Sequence, residues 1–384
     1  MQMKSEQPNK ETSSRRKFVQ MSSATVAVAG LAGCLGSDER SAGSADGVTT
    51  IDIAWQPAGL LIGSFNKLAG IEYVQENVAE NYGEVYDLNL TGVEGTNEIV
   101  AATAAGEVDG GYCPPTALAP AVAAGRLTSD DVSLVWPECM FGPNSGHSDN
   151  FAAAADSGIT DWDDIPGTTF AINTFGSGSD ISARIGMQDN GIDPENDVDM
   201  VQVPFSDQVA ALESGRIDIG TFLQPFYEEA REAVGGLNFL YDFSYPFGDL
   251  NTFNFMLSNE LLDEHPDAVR ALAEDVIEAA KFERGIEGYD HDTAIEVMSE
   301  AAGVSTDIGS RLFGEVADED YPSPEGRNIG YFTPLNKRQR PEDINPAVDA
   351  MFEAGQLDEE VDYTDFLNND FYPDEVDELP EPYQ

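Results

Sequence analysis

The stretch NTFGSGSDISAR, residues 173–184, holds residue types suited to gripping a polar group. Gly176 and Gly178 allow a tight backbone turn, and Ser177 or Ser179 can cap a helix that follows. Amides exposed at such a helix start, those of residues 177–180, join the positive end of the helix dipole in favouring an anionic or strongly polar ligand. The segment could be the phosphate cradle of an enzyme, the grip of a receptor, or simply a capped helix. A nucleotide phosphate loop requires a lysine and a hydroxyl residue after its last glycine, and the segment contains no lysine. A dinucleotide fingerprint requires a third glycine where helix and strand touch, and Ile181 stands in that place.

Other catalytic constellations find no better support. His147, His265 and His291 are far apart without a two-ligand helical spacing, which leaves a zinc site unsupported and solvent exposure as their expected state. Carboxylates are so abundant that an acid pair carries no information. Serines near glycines do not form a nucleophile elbow. The chain is therefore expected to be no enzyme and to carry no cofactor or metal.

The elements that must position such a grip occur twice. AATAAGEVDGG (101–111) and AALESGRIDIG (210–220) match at their first two alanines, at Gly106 with Gly215, at Asp109 with Asp218 and at Gly111 with Gly220. Each reads as a helix end, a glycine stop and a short strand bearing an aspartate. LNLTGVEGT and VDMVQVPFS, upstream of these, are strand-like; farther upstream, IDIAWQPAGLLIGSF and TTFAINTFGSGSDISA read as strand, loop and helix. The repeated order predicts an α/β fold of two similar lobes.

Loops at the carboxyl ends of strands in open α/β sheets face the ligand crevice. The candidate ligand-binding residues are thus Trp55, Gln56, Glu94, Thr96, Tyr112 and Thr116 in one lobe. The other lobe offers Asn173, Thr174, Ser177, Gly178, Ser179, Gln224 and Phe226. Trp55 offers an aromatic face to the body of a ligand, or packs in the core. A carboxylate at Glu94 disfavours a simple anion unless it turns away, which keeps a zwitterion in view.

The turn-rich PECMFGPNSGHSDN (137–150) marks the passage to the second lobe, and SYPFGDLNTFNFMLS (244–258) the return. Residues 47–148 and 252–384 then form lobe I and residues 149–251 lobe II. Val269, Leu272, Val276, Ile277 and Ala280 recur at helical spacing and predict a packing helix. The turn-rich stretch 305–345 has no assigned role.

The amino terminus reads as an address. In SSRRKFVQMSSATVAVAGLAGC, Arg15, Arg16 and Lys17 precede a weakly apolar run, and the run ends in Leu31, Ala32, Gly33 and Cys34. Paired arginines resemble a twin-arginine export signal over residues 1–33, and the last four residues resemble a lipobox whose Cys34 is lipidated. Gln20, Ser22 and Ser23 weaken the alternative of a permanent membrane span. Residues 34–46 read as a flexible spacer. The mature body is expected to be anchored by lipid on the outer face of the cytoplasmic membrane.

Removing residues 1–33 takes the formal net charge from -52 to -55, leaving Lys67, Lys281 and Lys337 as the only lysines. Acidic residues are scattered rather than gathered in a tail, and 41% of the chain is hydrophobic, enough for a core. Such a surface suits very high salt, where self-repulsion is screened, and it excludes the basic footprint of a nucleic-acid binder. Cys113 and Cys139 show no zinc spacing, and whether they pair is open.

The segment from ITDWDDIPGTTFAINTFGSGSDISARIGMQDNGIDPENDVDM to VQVPFSDQVAALESGRIDIGTFLQPFYEEA resembles the ABC-transporter solute-binding proteins of the sulfonate, taurine, nitrate and thiamine-precursor type. NELLDEHPDAVRALAEDVIEAA and MFEAGQLDEEVDYTDFLNNDF resemble that family's carboxy-terminal helices, so the resemblance spans most of the mature chain. It implies a type II periplasmic binding protein architecture, with a ligand cleft between the lobes. It also implies a monomer that delivers a small organic, anionic or zwitterionic ligand to ABC permease and ATPase subunits. A ligand-sensing ectodomain, or the receptor of another transporter class, is the alternative. A pyrimidine-making enzyme on the same fold would need a lysine for pyridoxal phosphate, and the three lysines lie outside the recognisable loops.

Overall fold

The structure, a computed structural model, describes residues 47–60, 62–141, 150–243, 245–247, 250–286, 288–313 and 339–373. Arg15, Arg16, Cys34, the spacer before Gly47, His147 and Lys337 lie outside the described residues, as do residues 314–338 of the turn-rich stretch. The described residues fall in one compact unit, Ala42–Gln384.

The chain begins with β1 (Thr49–Trp55), in which Ile51 and Ile53 are fully buried and Asp52 between them is half-buried. This is the alternation expected of a strand with one face on a core. There follow α1 (Gly63–Gly70), α2 (Glu72–Asn77), β2 (Tyr86–Gly92), α3 (Thr96–Ala104), β3 (Gly110–Cys113), α4 (Pro115–Ala123) and β4 (Val132–Phe141). A second set comprises β5 (Asn150–Ala154), β6 (Thr169–Ile172), α5 (Gly178–Asp189), β7 (Asp199–Gln202), α6 (Phe205–Glu213), β8 (Ile219–Phe222), α7 (Phe226–Ala233) and β9 (Leu237–Asp242). The chain returns through β10 (Leu250–Ser258) to α8 (Asn259–Glu264), α9 (Pro266–Glu283), α10 (His291–Ala302), α11 (Thr306–Phe313) and α12 (Asn345–Glu353).

Two five-stranded sheets result, ordered β2-β1-β3-β10-β4 and β7-β6-β8-β5-β9. In each, the first three strands run parallel and the fourth is antiparallel to both neighbours. The two sheets are topological copies, with β10 standing in one where β5 stands in the other. The aspartate of the sequence repeat shows why it recurs. Asp109 accepts the Asp52 amide on a carboxylate oxygen at 2.8 Å and donates its own amide to the Asp52 carbonyl at 2.7 Å. Asp218 does the same to Thr169, at 2.8 and 2.9 Å. Each clamps the parallel strand beside it, Asp109 at the middle of β1 and Asp218 at the start of β6, so the repeated residue is a strand fastener.

The helices after β10 pack on the first sheet's side of the molecule. Val269, Leu272, Val276, Ile277 and Ala280 of α9 are all buried, and α9 packs on α1. There the Lys67 ammonium pairs with Glu283 at 3.0 Å, both side chains only 1% exposed. α12 packs on α4, and the Tyr363 hydroxyl donates to the Pro115 carbonyl at 2.7 Å. Of the 305–345 stretch, residues 305–313 and 339–345 are described; the first part supplies α11, which packs on α10, and the second leads into α12. Cys113 and Cys139 are buried thiols on β3 and β4, on either side of β10, and they form no disulfide. Burial pushes the Cys113 thiol up to about 12, which keeps it protonated and inert. No described helix is long and apolar enough to cross a membrane.

Candidate functional site

Five helices, α3, α4, α5, α6 and α7, begin where a parallel strand or its equivalent ends. Their unsatisfied amides and positive dipole ends therefore gather on one side of each sheet. Between the lobes lies a narrow pocket open to solvent. Its polar walls are Gln56, Thr96, Asn173, Ser177, Gly178 and Ser179, and its apolar walls Ile62, Phe205, Leu223 and Phe253. None of these described lining residues is ionisable.

The NTFGSGSDISAR loop shapes one wall. Ser177 is the N-cap of α5, its hydroxyl oxygen accepting the Asp180 amide, while its own amide closes a turn onto the Thr174 carbonyl at 3.2 Å. The amides of Ser177 and Asp180 are thus spent inside the loop, and Gly178 and Ser179 line the pocket. Asp180 is buried but engaged, accepting the Gly176 amide at 2.8 Å and pairing with Arg184 at 2.7 Å.

Facing it, the Tyr112 hydroxyl donates to Gln56 Oε1 at 3.2 Å, and Gln56 Nε2 donates to the Glu94 carbonyl at 2.5 Å. Tyr112 therefore stands behind Gln56 rather than in the lining. Glu94 is exposed, and the group it brings to the cleft is its carbonyl, which removes the expected conflict with an anion. Thr96, 3% exposed, opens α3, and its hydroxyl has no hydrogen-bond partner. The buried hydroxyls of Thr116 and Thr174 also lack partners, though neither residue lines the pocket.

Three other expected contacts lie apart from the lining. Trp55 is half-buried and its ring packs over Gly70 of α1, the core alternative of its sequence reading. Gln224 is buried beside Leu223, and Phe226 packs partly buried against the core. Four lining residues carried no sequence signal that singled them out. Leu223 and Phe205 sit next to recognised loops, and their positions were legible if not their types. Ile62 and Phe253, on α1's approach and on the return strand, were not.

Lys67 and Lys281 are absent from the lining and are paired elsewhere, with Glu283 and Glu278. His265 and His291 are half-buried at the starts of α9 and α10, not solvent-exposed as expected, because helix packing covers those ends. Among the described residues no cluster of three His, Cys, Asp or Glu could hold a metal.

The NMT1-like family profile matches residues 71–299, more than half of the chain. The chain belongs to the NMT1-like family. No curated protein matches this NMT1-like chain in sequence. Among solved structures it is similar to the alkanesulfonate-binding protein of Xanthomonas axonopodis pv. citri bound to MOPS, at 15% identity and a TM-score of 0.59, covering 81% of this chain and 95% of that one. It is similar to the periplasmic nitrate-binding protein of Synechocystis PCC 6803 at 14% identity and a TM-score of 0.60, covering 81% and 83%. The ligand-binding component of an ABC-type import system from Staphylococcus aureus, with zinc bound, gives 16% identity and 0.59, covering 84% and 97%. The NMT1-like chain has the type II periplasmic binding protein fold.

Proposed function

We propose that this protein is an extracytoplasmic solute-binding protein, lipid-anchored at Cys34, which captures a small organic anion or zwitterion and delivers it to the permease and ATPase of an ABC importer. The observation that carries the proposal is the Thr96 hydroxyl, buried without a partner in the wall of a pocket that the start of α5 also lines. A buried hydroxyl without a partner costs stability unless a ligand satisfies it. Hydroxyls and amides at helix starts bind negative charge without a cationic side chain, and Phe205, Leu223 and Phe253 accept an apolar portion. The ABC import components among its structural neighbours support the same reading, as do the paired arginines ahead of Cys34.

The test is a thermal-shift screen in molar salt with alkanesulfonates, taurine, nitrate, pyrimidines and amino acids, repeated on Thr96→Val. A ligand that binds only the folded state raises the melting temperature. Thr96→Val removes the hydroxyl and keeps the shape, so affinity for a hit should fall roughly 5- to 150-fold, the equivalent of about 1–3 kcal/mol. The melting temperature without ligand should stay level or rise, because an unsatisfied buried group is gone. A hit that binds Thr96→Val as tightly as the parent would place the grip elsewhere.

A further inference from the structure

We infer that the Glu94 carbonyl and the Tyr112 hydroxyl, neither of them in the pocket lining, set the polarity of the pocket by fixing which way the Gln56 and Asn173 amides face. The site then favours a group that only accepts hydrogen bonds over one that donates them. This selectivity rests on the receptor reading above and adds the positioning residues that decide it. An amide side chain carries an oxygen on one side and two N–H groups on the other. A backbone carbonyl tells the two sides apart, because it can only accept. The Glu94 carbonyl meets Gln56 at 2.5 Å and Asn173 at 3.3 Å, so the atom that each side chain turns to it is its nitrogen. One acceptor orients both amides.

The opposite ends of the two amides agree with this. Gln56 Oε1 has to be met by a donor, and the Tyr112 hydroxyl supplies one at 3.2 Å. Asn173 Oδ1 is met at 2.8 Å by the Ser177 hydroxyl, whose own oxygen already accepts the Asp180 amide at the start of α5. The single proton of that hydroxyl therefore goes to Asn173. Tyr112 is fully buried with its ring against Phe253, and Gly59 makes room for its hydroxyl, since a Cβ there would stand 2.7 Å from the oxygen. Each amide nitrogen carries two hydrogens, of which Glu94 takes one. The second belongs to a side chain that is 3% exposed and lines the pocket. Gln56 and Asn173 thus offer N–H groups to a ligand while the protein itself engages both their oxygens. An ammonium would meet them hydrogen against hydrogen. The acidic surface attracts cations, so a preference for acceptors has to come from these amides.

The experiment reads the amides first without ligand, by nuclear magnetic resonance of nitrogen-labelled protein in molar salt. The side-chain signals of Gln56 and Asn173, assigned by their loss in Gln56→Glu and Asn173→Asp, should each show one hydrogen shifted downfield by the Glu94 carbonyl. Tyr112→Phe keeps the ring and removes the donor, so it should move the Gln56 signals more than those of Asn173. Gly59→Ala, which pushes the hydroxyl aside, should do the same. Gln56 signals that stay in place in both variants overturn the inference, whether or not a ligand is known. Binding is then measured with propanesulfonate, whose head only accepts, and propylammonium, whose head only donates. The parent should bind the sulfonate at least about tenfold more tightly, the worth of one hydrogen bond. Tyr112→Phe, which leaves the Gln56 oxygen open to a donor, should narrow that ratio. Propylammonium bound as tightly as the sulfonate by the parent overturns the inference and leaves the receptor reading standing. Binding of neither probe counts against the receptor reading, and the amide signals then decide the polarity by themselves.

Discussion

Lys67→Met is expected to lower the unfolding free energy by about 3–5 kcal/mol, because it strands Glu283 as an uncompensated buried charge. The pair is 1% exposed on both sides, and the ammonium also donates to the Gly63 carbonyl at 3.3 Å. Gly63 itself, at φ +65°, lies against Glu138, with a Cβ at that position only 2.5 Å from the Glu138 side chain. Glu138 accepts the Phe65 amide at 2.5 Å and the Trp136 indole N–H at 3.3 Å. Burial pushes its carboxyl up from 4.5 to about 8, while the Phe65 amide and the charge of Lys67 hold it down. Folding therefore favours the protonated form. The stability this gives is fully present below pH 4.5 and is lost as pH rises to about 8. Urea titrations of Lys67→Met should show the loss, and the double variant Lys67→Met with Glu283→Leu should recover most of it, since apolar replacements of a buried pair are often neutral. A single variant as stable as the parent would overturn the argument from the buried pair.

Dialysis from molar to about 0.01 M salt is expected to unfold the protein or to lower its melting temperature steeply. The Debye length grows from about 3 Å to about 30 Å over that range, whereas a folded chain of this length has a radius of gyration near ~20 Å. At the low end every surface charge of the -52 formal net total acts on every other. Circular dichroism through the dialysis reads the result. Melting that is the same in molar and millimolar salt would give the acidic surface another purpose.

The serine loop after TTFA was legible because glycine and serine ahead of an apolar helix admit few conformations, and the structure puts Ser177 at the cap of α5. The aspartate repeat was legible as a repeat, but the clamp between Asp109 and the Asp52 backbone joins strands that sequence leaves unpaired. Trp55 shows the limit of residue type. An aromatic at a strand end suits a ligand and a core equally, and Gly70, at the end of the following helix α1, gave its ring a place to lie. Glu94 was weighed as a carboxylate, yet it acts through a carbonyl, a group every residue owns and no sequence displays. Phe253 reaches the pocket from the return strand, where register against β3 and β4 decides which side chains face inward.

The exchange of strands between the two sheets fixes an order of assembly. β5 to β9 lie within one continuous stretch of 150–242, so the second sheet has all its strands as soon as that stretch is made. The first sheet does not, because β10, at Leu250–Ser258, separates β3 from β4. A nascent chain that has reached Phe141 carries four strands of that sheet with a gap in their midst, and closing it means bringing Asn254 beside Cys113 across the whole second lobe. Such long-range pairing is slow and leaves strand edges open while it waits. Translation proceeds from the amino terminus, but the sheet begun first is the one completed last, and a chain stopped short of residue 258 presents an unfilled slot in a half-built sheet.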